Sequence, residues 1–542
     1  RGKGLTDIIG PMYPPIELIT DFVKYRKDDR PLIMIEYSHA MGNSNGSLAD
    51  YWKAIEAHHG LQGGFIWDWI DQGLEAFTPE GVKYWKYGGD FGDEPSDYDF
   101  CLNGLLFPDQ TPKPAMAECR QVFAPVRLIP VSGKPFSFIL ENRYDFSSTD
   151  QLSLQWTIRG ESPSEGETLF AQGRVDLPDL APGAREELTL AIPEDLCLKG
   201  YAGIAYIHAD FCLRSDTPWA KAGHVVAQAE RVLKETPVEL CLGTAFSPEA
   251  SAAAPQAAEL AGFAGRFRPS LFRVPTENDG LKTCFHLRGD PAALFYYKDK
   301  AVFPWLDLDL IHLRCEEEKT EEILLEACPA VRYTALLRAG KDAAPAFRDT
   351  ILGTFTRITF KSGGGKVLGL DISFDLDPNL PELPKVGITA EIPAAYGVIS
   401  WFGAGPEESY PDRLAGAFLG RYIRRIAELE TPYVVPQENG NRSGVRGITL
   451  LAGEGQAEPK TLSLWADRPV NFSVSRYTQE NMLAALHTCD LVDVSRGPEG
   501  RCFLNIDIAQ RGVGTATCGP DTRDEYRLRP GFFRMKLFLQ GR

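Results

Sequence analysis

Pro31-Leu-Ile-Met-Ile-Glu36-Tyr-Ser-His39-Ala-Met-Gly-Asn43-Ser44 is an apolar run that ends in a carboxylate and then turns through His, Gly and Asn. A short apolar run closed by turn residues suits a strand buried on both faces, as in a parallel sheet. The first polar side chain after such a strand stands where the strand leaves the sheet. In a parallel α/β barrel that edge carries the catalytic residues. Glu36 is therefore the first candidate for chemistry, against the plainer reading of a solvated glutamate at a strand end.

The surrounding sequence extends the pattern. Ile16 to Tyr25 and Leu48 to His58 place apolar residues three and four apart, as helices do, while Leu5 to Ile9 and Gly63-Gly-Phe-Ile-Trp67-Asp-Trp69 read as further strands. The order β-α-β-α-β over residues 1–125 predicts a parallel α/β region. About three strands are too few to close a barrel, which takes eight. The expectation is therefore a C-terminal piece of a longer protein. From about residue 126, short alternating stretches lie between Pro, Gly and Asp turns: Phe136 to Leu140, Leu152 to Ile158, Leu188 to Ile192 and Ala202 to Ala209. These predict an antiparallel β-sandwich over residues 126–236. A linker-like passage at 246–255 precedes a mostly strand-like remainder, long enough for a large sandwich over residues 237–542.

Bulk properties set limits. A chain of 542 residues is too long for one core. A net charge of −17 argues against nucleic-acid or anionic-membrane partners, which need basic patches. Eleven cysteines, scattered and without a C-x-x-C pair, point to reduced thiols and a cytoplasmic location. The chain starts at Arg1, so a signal peptide ahead of it is left open.

Between Gly60 and Phe107, Trp67, Trp69, Tyr84, Trp85, Tyr87 and Phe91 lie among Asp68, Asp71, Asp90, Asp93 and Asp97. Aromatic faces pack on the C–H faces of a pyranose and carboxylates bind its hydroxyls, although the same tryptophans serve equally well as core. Glycoside hydrolysis needs two carboxyl groups across the scissile bond, roughly 5–5.5 Å apart when one is a nucleophile. Glu36 supplies one. Ser362-Gly-Gly-Gly-Lys366 lacks the spacing and hydroxyl of a phosphate loop and reads as a hairpin turn. Gly42-Asn-Ser44-Asn-Gly46 matches G-x-S-x-G, but Ser44 comes eight residues after Glu36, so a loop or helix-capping role is expected.

Ile35-Glu-Tyr-Ser-His-Ala-Met-Gly-Asn-Ser44 resembles the nucleophile motif of glycoside hydrolase family 2, in its large bacterial-type β-galactosidase branch. The likeness continues through Leu61 to Gln72, Tyr87 to Asp93, Phe100 to Leu105, Trp401-Phe-Gly-Ala-Gly-Pro-Glu-Glu-Ser-Tyr-Pro-Asp-Arg413 and Thr431-Pro-Tyr-Val-Val-Pro-Gln-Glu-Asn-Gly440. It implies the end of a (β/α)8 TIM barrel, an immunoglobulin-like sandwich and a large β-supersandwich. It also implies a homotetramer acting on β-galactosides, with magnesium and sodium ions. Glu36 is then the nucleophile and Tyr13 its hydrogen-bond partner. His39 contacts galactose hydroxyls, Trp67 floors the sugar, and the Phe100 carbonyl and Asn103 are sodium ligands. The stretch from Thr276 to Gly280 resembles the start of a mobile loop with a glycine hinge.

Three departures accompany the likeness. The family's acid/base glutamate follows an asparagine, and none of the eleven asparagines here precedes Glu. The proton donor, the magnesium ligands and the sodium site's aspartate are thus expected outside this chain. A second sugar platform, tryptophan in one branch, aligns with Cys518. The stretch from Pro237 to Arg273 is shorter than its counterpart. A non-catalytic sugar-binding or assembly fragment, and another family 2 specificity such as β-glucuronidase, are the competing readings.

Overall fold

The computed structural model describes residues 4–25, 28–194, 196–242, 255–280, 300–325, 328–362, 367–452 and 460–541. The chain is multidomain and rich in strands. Its first part runs α1 (Ile16–Tyr25), β1 (Leu32–Tyr37), α2 (Leu48–Ala57), β2 (Leu61–Ile66), and β1 and β2 pair in parallel. Leu32 and Met34, alternate residues of β1, and Tyr37, brought to the same face past a register irregularity, pack with Leu48, Tyr51 and Ile55, spaced three and four apart on α2. The opposite face is open: Ile35 is 49% and Phe65 66% exposed. Leu5 to Ile9, expected as a strand, makes only a parallel bridge from Ile9 to Leu32, followed by one from Met12 to Glu36. A strand needs a continuous ladder, and Leu5 is 85% exposed. A small hairpin, β3 (Leu74–Phe77) with β4 (Lys83–Lys86), and α3 (Ala115–Val122) complete this region.

Seven strands follow: β5 (Val126–Pro130), β6 (Ser137–Asn142), β7 (Leu152–Ser162), β8 (Gly166–Asp176), β9 (Arg185–Thr189), β10 (Ile204–Leu213) and β11 (Val225–Glu235). They form sheets ordered β5-β6-β9 and β11-β10-β7-β8. Leu152, Leu154, Trp156 and Ile158, at alternate positions of β7, meet Phe138 and Leu140 of β6 in one core. That is the period-2 packing of a sandwich.

The remainder is a 12-stranded sheet with the strand Lys460–Ser475 at its centre. The first half of that strand pairs with Phe532–Gly541 and its second half with Arg501–Gln510, while Arg442–Ala452 takes its other edge. One strand shared between different neighbours curls the sheet around a single large core that includes Trp305, Trp401, Phe374 and Phe472. The strands Ile351–Ser362 and Val367–Leu376 pair as a hairpin from Ser362 to Val367. Residues 363–366 of the expected turn and 246–254 of the linker-like passage lie outside the described residues. No described helix is long and apolar enough to cross a membrane.

Candidate active site

Glu36 stands half-buried at the end of β1. Its carbonyl accepts the Tyr13 backbone N–H at 2.8 Å, and its carboxylate accepts a hydrogen bond from the Tyr13 phenol. Burial, reinforced by Glu36, pushes the Tyr13 phenol far above its ordinary range, so it stays protonated and donates. Burial and the Glu36 charge likewise raise the Cys518 thiol, which places Cys518 beside the same carboxylate.

His39 is fully buried, with the Tyr13 ring edge-on at 5.7 Å and Phe100 stacked at 5.7 Å. Burial, with the charge of Lys113, lowers its pKa to about 4, so the imidazole is neutral. Its Nδ1 lies 2.6 Å from Thr517 Oγ1 and its Nε2 3.2 Å from the Asn103 amide nitrogen. Trp67 is strapped to this loop, its N–H donating to the Tyr37 carbonyl at 3.2 Å and its carbonyl accepting from Ala40 N–H at 2.7 Å. Trp67 remains 41% exposed. Tyr13, Glu36, His39, Trp67, Phe100, Asn103 and Cys518 are thus brought together.

Under the site, Lys113 Nζ pairs with Asp71 at 2.9 Å, both buried, and Asp71 also accepts the Gly104 N–H at 2.8 Å. A Cβ on Gly104 would meet the Ile70 and Asp71 backbone at 2.2 Å, so only glycine allows this approach. The oxygen of Asn103 takes no hydrogen bond among the described residues, its amide nitrogen being turned to His39. An amide oxygen is a hard, neutral ligand of the kind a small hard cation takes.

Two more residues of the aromatic cluster, Tyr84 and Tyr87, pack against the last part of the chain. Tyr87 stacks on His487 at 4.7 Å, Tyr84 meets that ring edge-on at 5.3 Å, and Asp90 pairs with it at 2.8 Å. These residues tie the first part of the chain to the last. Ser44 is buried in the loop, and the residue at the N-cap of α2 is Ser47, so the helix-capping alternative for Ser44 is set aside.

The 12-stranded domain grips the Glu36 loop directly. Asn43 donates to Tyr410 OH at 3.0 Å and to the Glu438 carbonyl at 2.7 Å, and Gln437 accepts the Asn43 N–H at 3.0 Å. Arg413 donates to the Ser44 carbonyl. A Cβ on Gly46 would lie 2.0 Å from the Asp412 carboxylate. These residues sit in the two late motifs, which the sequence marked without showing what they touch.

Glu118 on α3 is also buried against this domain, accepting the Gly416 N–H at 2.9 Å. Burial, partly opposed by that N–H, raises its pKa from 4.5 to about 7. A carboxyl that binds its proton more tightly when folded loses stability as pH rises between those values. Glu118→Gln keeps the acceptor without the charge. It is expected to stabilise the chain by about 1–3 kcal/mol at pH 8, a gain that fades as the pH falls below about 5. Urea unfolding of both proteins at the two pH values checks this; an equal gain at both would refute the titration.

Comparison with known proteins accords with this geometry. The family model described as beta galactosidase small chain matches residues 255–539, more than half of the chain. The glycosyl hydrolases family 2 TIM barrel domain matches 4–128, and beta-galactosidase domain 4 matches 138–234. A beta-galactosidase of Aeromonas hydrophila subsp. hydrophila is 32% identical over 99% of this chain and 52% of its own length. One from Vibrio cholerae serotype O1 is 32% identical over 94% of this chain and 48% of its own, and a beta-galactosidase 2 of Enterobacter cloacae is 31% identical over 94% and 49%. The chain spans about half the length of the curated relatives it matches. With all three models in order along one chain, the chain belongs to glycosyl hydrolase family 2, in its β-galactosidase branch.

Proposed function

We propose that this chain is the C-terminal half of a retaining β-galactosidase that cleaves terminal β-D-galactosyl residues, as in lactose. The observation that carries the reading is that Glu36, at the end of β1, takes a hydrogen bond from a protonated Tyr13 phenol, whose ring lies edge-on to the neutral His39 of the loop that follows. Residues 1–125 are read as the closing part of a TIM barrel, 126–236 as an immunoglobulin-like sandwich and 237–542 as the supersandwich. In this reading the Glu36 carboxylate attacks the anomeric carbon while a second carboxyl protonates the departing oxygen. That group then takes a proton from water, which releases galactose and frees Glu36. Tyr13 steadies the attacking carboxylate and holds it on the sugar side of β1. His39 binds a galactose hydroxyl, Trp67 stacks under the ring, and Cys518 stands where a second platform would be. Phe100 and Asn103 fit two ligands of a sodium ion that helps to seat the sugar. Magnesium belongs to the second carboxyl, for which this chain offers no Asn-Glu pair. A tetramer rests on the family likeness, and a cytoplasmic location on the scattered cysteines.

An aryl β-galactoside assay tests this. The full-length enzyme is expected to turn it over and the 542-residue chain alone to show no activity above background, because one carboxyl cannot serve both steps. Turnover by the chain alone that is lost on changing Glu36 would show a complete site here. A full-length enzyme inert on β-galactosides would remove the proposed substrate.

A further inference from the structure

Asp309, His312 and Asp342 share no residue with the Glu36 site, and they bring one ligand atom each to within 4.8 Å of the others. All three belong to the 12-stranded domain. Trp305, Leu308 and Leu310 are buried in its large core, which fixes the helix Val302–Asp307 and the 3₁₀ turn Leu310–His312 after it. Asp309 stands between the two, its side chain 8% exposed. Asp342 comes from the loop 339–350, which joins the strands Cys328–Arg338 and Ile351–Ser362. That loop is tied down where the Gly340 N–H donates to the Leu308 carbonyl at 2.9 Å and the Ala344 N–H to the Asp307 carbonyl at 2.8 Å. A Cβ on Gly340 would come 2.2 Å from Asp309 Oδ2, so only glycine lets the carboxylate lie there.

Two of the donor atoms are already oriented. The Asp342 N–H donates to Asp309 Oδ2 at 3.0 Å, which leaves Oδ1 facing His312 Nδ1 at 2.8 Å. Neighbouring ligands about 2.0–2.2 Å from a zinc ion stand roughly 2.9–3.5 Å apart, so a small outward shift of the exposed imidazole admits an ion between them. The Asp342 side chain is exposed and can swing in as the third ligand, with water in the remaining positions. The other ring nitrogen, Nε2, faces Glu480 Oε1 at 3.7 Å, from the helix Gln479–Ala484 far along the chain. Metal-binding imidazoles turn their outer N–H to a carboxylate in this way, and the carboxylate fixes the ring. Three carboxylates thus converge on one imidazole, and among the described residues none of the three pairs with a lysine or arginine.

We propose that Asp309, His312 and Asp342 bind a divalent transition ion of the zinc class, with Glu480 holding the outer ring nitrogen. The imidazole selects the ion. Magnesium and calcium are held through oxygen ligands, whereas imidazole beside carboxylates suits zinc and its first-row neighbours. In the bound form Nδ1 carries the ion and the one ring proton sits on Nε2, toward Glu480. The ion would cross-link the end of the helix Val302–Asp307 to the 339–350 loop, a structural role that does not depend on the β-galactosidase reading.

Calorimetric titration of zinc chloride into the full-length enzyme tests this, after a chelator has stripped its metals and saturating magnesium has been restored to fill sites for hard ions. The unaltered enzyme is expected to take up an equivalent of zinc that His312→Gln and Asp342→Ala each bind about a hundredfold more weakly. Glu480→Gln should weaken it about tenfold, the scale of losing an outer carboxylate. Both ligand residues are exposed, so their variants should keep the urea midpoint of the unaltered enzyme in chelator, and added zinc should raise that midpoint in the unaltered enzyme only. Cobalt(II) in place of zinc separates this site from the eleven cysteines, because nitrogen and oxygen ligands give no thiolate absorption band. No zinc uptake, isotherms equal in the unaltered enzyme and both variants, or a thiolate band on the titrated cobalt would each overturn the site. Displacement of the zinc by excess magnesium would overturn the class of ion. A midpoint lowered by the variants in chelator and unmoved by zinc would show plain hydrogen bonding in place of a metal site.

Discussion

Glu36→Gln in the full-length enzyme is expected to lower kcat for an aryl β-galactoside by roughly 10⁴-fold or more, the scale seen when a covalent nucleophile is removed. The substitution isolates the chemistry. Glutamine has the same length and can still accept the Tyr13 phenol proton, and the backbone bond from Tyr13 to the residue-36 carbonyl is untouched. The half-buried side chain carries no core packing whose loss would unfold β1. What disappears is the anionic oxygen able to form a bond with the anomeric carbon. Sugar affinity should change far less than rate, because His39 and Trp67 are unaltered. A competitive galactose-like inhibitor binding within a few-fold of normal would confirm that the site still stands. Near-normal turnover would remove Glu36 from its role, whatever the family likeness.

The reach of the sequence differs from one element to the next, for physical reasons. The helix expected from Ile16 to Tyr25 has those same bounds in the structure, and that from Leu48 to His58 stops one residue earlier, because amphipathic spacing is a local property. Leu5 to Ile9 has strand-like composition but makes a single bridge, since a strand exists only through its neighbours. Glu36 stands out in the sequence because a charged group at the end of an apolar run is anomalous by itself. Tyr84 and Tyr87 crowd near Trp67 in sequence, a pattern that fits sugar contact and structural packing equally. The structure sets them on His487, a contact spanning some 400 residues that no local pattern encodes. Thr517 carries no signal of its own: a hydroxyl acquires meaning only once the His39 ring it addresses is located. The beta-galactosidase relatives accounted for the family, and the contacts account for why its late motifs sit where they do.

Arg413 shows that logic most sharply, and Arg413→Met is expected to destabilise the chain by about 3–5 kcal/mol, the usual result of breaking a buried ion pair on one side. Its guanidinium is buried, donates to the Ser44 carbonyl, and pairs with Glu408 at 2.6 Å. Glu408 also accepts Thr431 Oγ1 at 2.9 Å, Tyr433 OH at 2.8 Å and Gly440 N–H at 2.6 Å. One carboxylate thus gathers both late motifs, and Arg413 connects them to the loop that follows Glu36. Methionine conserves much of the volume, so the loss is electrostatic and not a cavity. It leaves Glu408 charged in the interior with its strongest donor gone, and leaves the Ser44 carbonyl without the donor that holds it. The second effect is local: the Glu36 loop should loosen more than the fold as a whole. Hydrogen exchange over residues 38–47 should accelerate in the variant by a larger factor than in the core strand Lys460–Ser475, alongside the lowered urea midpoint. Equal protection in both segments would mean that Arg413 stabilises its own domain and has no hold on the Glu36 loop.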